Sequence, residues 1–253
     1  MRSYLPTRRA QRALFRLLAL GVSPMALTMA AMPEAEAQTI GTGQTVQASS
    51  LGTGTAAFQG GTLVVDKTAT FSSNITLAET TATLLANTID THGNAGTFSG
   101  VFSDAVAGLS GPLTITDTVG GGEIILTGAN TYSGATTINA GATLALSGTG
   151  AIALSKSVQN NGTFDISAAS EPVDIGSLGG SGSVVLGAQG LKITAGADTF
   201  TGTISGSGSL TVTGGTQILD GANTYTGGTT ITSAAALEIG NADTNGSILG
   251  NVS

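Results

Sequence analysis

The sequence predicts an all-β protein, a right-handed parallel β-helix (solenoid), and three observations point there. Gly and Thr dominate a chain of 253 residues that carries few charges. β-Branched residues suit pleated surfaces and glycine suits turns. Short apolar clusters recur between Gly-rich punctuation. Finally, one eleven-residue segment is repeated almost unchanged, as expected of stacked units.

The amino end reads as a cleavable signal peptide over 1–37. Arg2, Arg8, Arg9, Arg12 and Arg16 come before any acid, a mostly apolar stretch runs from Leu17 to Met32, and Ala35-Glu36-Ala37 fits a small-x-small cleavage site. Pro24 interrupts a run already shorter than the roughly 18–20 residues that span a bilayer. Residues Ala10-Gln11-Arg12 after Arg8-Arg9 do not favour a twin-arginine route.

After Ala37 the chain has no Met, Arg, Cys or Trp, and only Lys67, Lys156 and Lys192 stand against 13 acidic residues. Nucleic-acid binding is excluded, because phosphate contacts need clustered cations. Leu, Ile, Val and Phe supply 52 residues of this part, enough to fold despite the compositional bias. An exported chain without cysteine must gain its order from something other than disulfides. The lack of cross-links also keeps it threadable.

Candidate strands follow in order at Leu63-Val64-Val65, Leu113 and Ile115, Ile124-Ile125-Leu126, Leu144 and Leu146, Ile152 and Leu154, Val184-Val185-Leu186, Leu191 and Ile193, Leu210 and Val212, and Leu237 and Ile239. Several alternate with period two, as half-buried strands do. Residues 38–62 read as an N-terminal cap or irregular entry, and 63–253 as the repeats. Turns of roughly 20–25 residues would give nine to eleven rungs.

Gly128, Ala129, Asn130, Thr131, Tyr132, Ser133 and Gly134, continuing to Ile138, recur as Gly221, Ala222, Asn223, Thr224, Tyr225, Thr226 and Gly227, continuing to Ile231. The copies lie 93 residues apart and agree at nine of eleven positions. Thr97-Phe98-Ser99-Gly100 and Thr199-Phe200-Thr201-Gly202 read as degenerate copies of the Thr-aromatic-Ser/Thr-Gly centre, and Asn161 to Phe164 as a partial echo. The equivalent positions of Tyr132 and Tyr225 suggest an aromatic stack that locks successive coils rather than a platform for sugars.

This motif, followed in its first copy by Asn139-Ala140-Gly141-Ala142-Thr143-Leu144, resembles the autotransporter-associated β-strand repeat, also called the passenger-associated transport repeat. The resemblance implies a passenger domain displayed outside a Gram-negative cell by a C-terminal outer-membrane barrel. It implies transit through the inner-membrane export machinery and an outer-membrane pore, with host surfaces or other cells as partners. Here no barrel strands follow, and the chain reads as truncated before one, so a secreted, surface or periplasmic location is expected.

No enzyme is expected. His92 is the single histidine after the leader and reads as a turn residue, and no Gly-x-Ser-x-Gly elbow surrounds a serine. One histidine and no cysteine do not supply a zinc site. Asp243-Thr244-Asn245-Gly246 opens like a calcium loop but lacks its closing Glu, so no metal or cofactor is expected. Thr114, Thr116 and Thr118 suggest an ice-binding ladder, which would need a stricter period. The expected role is a stalk or adhesive surface. The alternatives are a polysaccharide-active β-helix enzyme and a non-functional fragment of a longer gene.

Overall fold

A computed structural model describes residues 38–79, 85–240 and 246–253. The expected signal peptide over 1–37 lies outside these residues, as do Asp243, Thr244 and Asn245 of the calcium-like sequence.

The apolar clusters form short strands because each holds two or three inward-pointing side chains between turn residues. The chain lays down β1 (Gln38–Gly41), β2 (Thr45–Gln47), β3 (Ala56–Gln59), β4 (Thr62–Val64), β5 (Ala69–Phe71), β6 (Ile75–Leu77), β7 (Thr88–Asp90) and β8 (Ala95–Phe98). Next come β9 (Phe102–Asp104), β10 (Leu113–Thr116), β11 (Glu123–Leu126), β12 (Thr136–Ile138), β13 (Thr143–Gly148), β14 (Val158–Asn160), β15 (Thr163–Ala169), β16 (Val173–Ile175) and β17 (Leu178–Gly179). The last are β18 (Ser183–Val185), β19 (Leu191–Ile193), β20 (Thr199–Phe200), β21 (Thr203–Ser205), β22 (Leu210–Val212), β23 (Gly215–Leu219), β24 (Thr229–Ile231) and β25 (Ala235–Ile239).

These strands coil into a parallel β-solenoid. One side stacks β1-β3-β6-β9, a second stacks β2-β4-β7-β10-β12-β14-β17, and a third stacks β5-β8-β11-β13-β15-β18-β21. A parallel bridge from Gly180 to Phe200 carries the second side on into β20-β23-β25. The first side passes through Thr131 and Tyr132, whose N–H groups both donate to Phe102 O, before β16-β19-β22-β24 resume it. Ten strands along the second side make about ten turns, a stack of about 45 Å at the spacing of paired strands.

Turn length changes along the stack. Glu123 lies beside Ala95, 28 positions earlier, whereas Thr143 lies beside Glu123, Thr163 beside Thr143 and Ser183 beside Thr163 at steps of 20. The period of 20–25 read from the sequence averages three regimes, with steps of 17–19 between the first turns, 26–28 in the next and 18–23 in the rest. Parallel pairing is in place from β1, so residues 38–62 already contribute strands to two sides, with only 48–55 irregular. One expected strand is absent: Ile152 is buried, but Leu154 is 58% exposed in a turn closed by Ser155 N–H to Ile152 O.

Inward positions stack like on like. Leu144, Phe164, Val184 and Ile204 form one column, and Phe71, Phe98, Leu126 and Leu146 another. Phe71 and Phe98 have ring centroids 5.1 Å apart, and Phe98 meets Phe102 edge-on at 5.6 Å. Each such side chain, fully buried, contributes about 1.5–3 kcal/mol.

At the corner between the second and third sides, Gly162, Gly182, Gly202 and Gly221 lie turn upon turn. A Cβ on any of the last three would collide with the carbonyl oxygen of the glycine before it. The requirement is steric, set by how closely consecutive turns approach. Gly221→Ala is therefore expected to destabilise the protein by about 2 kcal/mol or more in denaturant unfolding, as overpacking does. Gly190→Ala, where the nearest atom is the movable Ser209 hydroxyl, stays within about 0.5 kcal/mol of the parent. Equal effects of the two would contradict the column.

Candidate functional site

A solenoid leaves backbone N–H and C=O groups unpaired wherever the chain turns between sides, and burial makes each one costly. The repeated segment lies at such a corner. In the first copy Asn130 is buried, and its Oδ1 accepts the Phe102 N–H of the turn below at 2.9 Å. Its Nδ2 donates to Gly128 O at 2.9 Å in its own turn and to Ala151 O at 3.0 Å in the turn above. Asn223 repeats this arrangement, accepting from Ile204 N–H at 2.9 Å and donating to Gly221 O at 2.9 Å and Ser247 O at 3.1 Å. One side-chain amide thus joins three turns.

The residues around each asparagine complete the corner. Thr131 and Thr224 donate their backbone N–H groups to Phe102 O and Ile204 O, and the Thr131 side chain faces solvent. Tyr132 and Tyr225 are fully buried, and each hydroxyl bonds the threonine four residues on, at 2.7 Å to Thr136 Oγ1 and 2.6 Å to Thr229 Oγ1. In the first copy Thr136 passes the link to Ser155 Oγ at 2.9 Å, which donates to Gly134 O. Gly128 and Gly134 lie against Gly100 O and Gly111 O, and Gly221 and Gly227 against Gly202 O and Gly208 O, with no room for a Cβ.

The tyrosines therefore lock the coil through their hydroxyls. The two ring pairs among the described residues join phenylalanines, not tyrosines. The degenerate copies also change place. Phe98 pairs in register with Leu126 and Phe200 with Leu219, so both precede the corner, whereas Tyr132 and Tyr225 follow it. The same Thr-aromatic-Ser/Thr-Gly string suits both places because each needs an inward ring next to a crowded glycine. The 93-residue offset likewise separates the full copies: β11 and β13 flank the first on the third side, and β23 and β25 flank the second on the second side.

Two clamps carry no repeat signature. Asn87, fully buried, accepts from Gly60 N–H and donates to Ala78 O and Pro112 O, again spanning three turns. Gln217, also fully buried, occupies an inward position and reaches back 39 residues to pair with both the N–H and C=O of Leu178, while donating to Asp198 O. Its amide stands in for a peptide unit where the ladder between β17 and β23 is interrupted. A lone Asn or Gln amid apolar residues is the available signal, but it does not name its partners.

The loop between the second and third sides holds His92. It is the one non-glycine residue with positive φ among those described, at 49°. Asp90 accepts the His92 N–H at 2.9 Å, the Thr118 N–H at 3.0 Å and the Thr118 hydroxyl at 2.7 Å, and His92 Nδ1 lies 3.1 Å from that hydroxyl. The Asp90 carboxylate can only accept, and His92 Nδ1 donates to or accepts from the hydroxyl according to its tautomer. In the turn above His92, Asp117 accepts N–H groups from Gly93, Val119, Gly120 and Gly122, with Gly120 and Gly121 at positive φ to allow the wrap. Burial alone would raise its pKa, but the N–H groups of Gly120 and Gly122 prevail and hold it well below the usual carboxylate range. Among the described residues no three His, Cys, Asp or Glu side chains are grouped to hold a metal ion.

Removing a clamp leaves buried backbone groups without partners. Asn130→Ala and Asn223→Ala are each expected to lose about 2–4 kcal/mol in urea unfolding, at about 1–3 kcal/mol per orphaned group, and Tyr132→Phe about 1 kcal/mol. Burial pushes the Tyr132 and Tyr225 hydroxyls above the ordinary tyrosine range. The stability this represents is full below about pH 10, the unfolded value, and is lost as pH climbs toward the folded one. The denaturation midpoint should fall above pH 10 in the parent and fall less in the Tyr132→Phe, Tyr225→Phe double variant. Parallel alkaline limbs would refute this. Asp117 acts at the other end: its contribution is present above about pH 4 and is lost on acidification, so Asp117→Asn should flatten the acid limb.

The passenger-associated-transport-repeat family model matches residues 119–146 and 203–239, together about a quarter of the chain. Each match contains one full clamp, with its asparagine, tyrosine and glycines. No curated protein and no solved structure matches the chain. Both matched segments make the same bonds within the parallel solenoid, so these two stretches are similar to passenger-associated transport repeats.

Proposed function

We propose that this chain is a structural passenger segment, a right-handed rod that serves as a stalk or weakly adhesive surface and carries out no catalytic step. The observation that best supports this reading is the clamp. The distinctive residues of the repeat are engaged in joining turns, which is work inside the rod and not at a surface. Right-handedness rests on the strong preference of parallel crossovers for that hand.

In this reading the chain crosses the inner membrane through the general export machinery and threads unfolded through an outer-membrane pore of a Gram-negative cell. It then orders itself turn by turn outside, secreted or displayed at the surface. Stacking on the far side would oppose backsliding, since each completed turn templates the next. The lack of cysteine keeps the chain free of cross-links that would jam a pore.

A disulfide between neighbouring turns tests this. Thr143 and Thr163 are paired in register on the third side, close enough for a bridge. In the intact exported protein, Thr143→Cys with Thr163→Cys should stall export under oxidising conditions and restore it under reducing ones. Equal surface or medium yields under both conditions would defeat the threading step.

A further inference from the structure

Between β2 and β3 the chain crosses the third side as a 3-10 turn at Ala48–Ser50 and a loop over 51–55, not as a strand. β5 is therefore the end strand of its sheet although the chain passes beside it. Phe71 O accepts the Ser99 N–H from the side of β8. Backbone groups alternate in direction along a strand, so the Thr70 N–H and C=O point the other way, toward residues 48–53. Among the described residues no backbone hydrogen bond joins that segment to β5. Side chains make the connection instead: Ser73 Oγ donates to Gly52 O, and Ser49 bonds the Asp66 carboxylate through its N–H at 2.9 Å and its hydroxyl at 2.5 Å.

A cavity of about 310 Å³ lies between them. Ala48, Leu51 and Phe71 line its apolar part, Thr70 runs along one wall, and Lys67 is its one ionisable lining residue. Lys67 is exposed, in a chain with net charge −7. The nearby Asp66 carboxylate is held by Ser49, chiefly through the hydroxyl and then the N–H, which also lower its pKa.

We propose that this groove binds an extended peptide of another protein by strand addition to β5, with a carboxylate of that peptide paired to Lys67. An unpaired edge supplies main-chain bonds and adjoining pockets select side chains, as in other strand-addition sites. β5 offers three residues, so a strand of about 10 Å covers it. The apolar lining accepts one small or β-branched side chain, and the single lysine sets the sign of the charge. This site lies between the first two turns and does not depend on the export reading.

The test uses the full chain and synthetic pentapeptides of alternating valine and threonine, one ending in a free carboxylate, one in an amide, and one amidated but carrying an aspartate side chain. In free protein the Thr70 amide should exchange rapidly with deuterium, and the free-acid peptide should bind in calorimetry and protect it. Lys67→Gln should weaken that peptide at least fivefold and leave the plain amide unchanged. Thr70→Pro, which deletes the edge N–H, should abolish binding. If that variant fails to fold, Thr53→Trp, which fills the groove from the loop and leaves β5 intact, should do the same. Comparison with the aspartate peptide decides between a terminal and a side-chain carboxylate, and either agrees with the proposal. Slow exchange at Thr70 in free protein, no binding of either carboxylate peptide, or binding that survives both groove variants would overturn it.

Discussion

The constraint that governs this molecule is the need to pair backbone groups at corners. Along the straight sides, ladder bonds between successive turns satisfy the main chain without help. At the bends the geometry breaks the ladder while the glycine contacts keep the turns too close to admit water. Side-chain amides resolve this conflict. Asn87, Asn130 and Asn223 each accept from below and donate within their own turn and above, and Gln217 does a related task across an interrupted ladder. An amide carries an acceptor and two donors in a plane, the same kinds of group that the missing peptide partners would have offered. A carboxylate offers no donor and a hydroxyl is too short to reach two turns.

The asparagine, the glycines and the tyrosine work as one unit. The glycines bring consecutive turns into contact, which puts the carbonyls within reach of the amide. The buried tyrosine fills the space beside the corner and ties its hydroxyl to a threonine of the next strand. Close approach without the amide would leave orphaned polar groups, and the amide without close approach would not reach.

Much of the fold was legible in the sequence, because inward positions of a parallel stack must be apolar at period two and corners must be small. The clusters at Leu113, Ile124, Val184, Leu191 and Leu210 all became strands. Ile152 and Leu154 mimic a strand because alternation alone does not distinguish a corner that buries one residue from a strand that buries two. The degenerate copies misled for a related reason: Phe98 and Tyr132 both stand inward beside a glycine, and only pairing with Leu126 shows that Phe98 belongs to the preceding strand. The repeat residues stood out by recurrence, whereas Asn87 and Gln217 occur once, and a single buried amide has no periodic signature. The cavity beside β5 was likewise silent, since it arises from a strand that fails to form between Ala48 and Thr55.

The spacing of the two motif copies has a geometric outcome. Their separation of 93 residues, at 20 per coil, is four coils and about two-thirds of another, so the second unit is swung around the long axis relative to the first. Identical local chemistry therefore points in different compass directions. Any bulky loop that evolution grafts onto the same spot of each unit would fan outward like steps on a spiral stair, spreading its neighbours apart and leaving no single crowded flank.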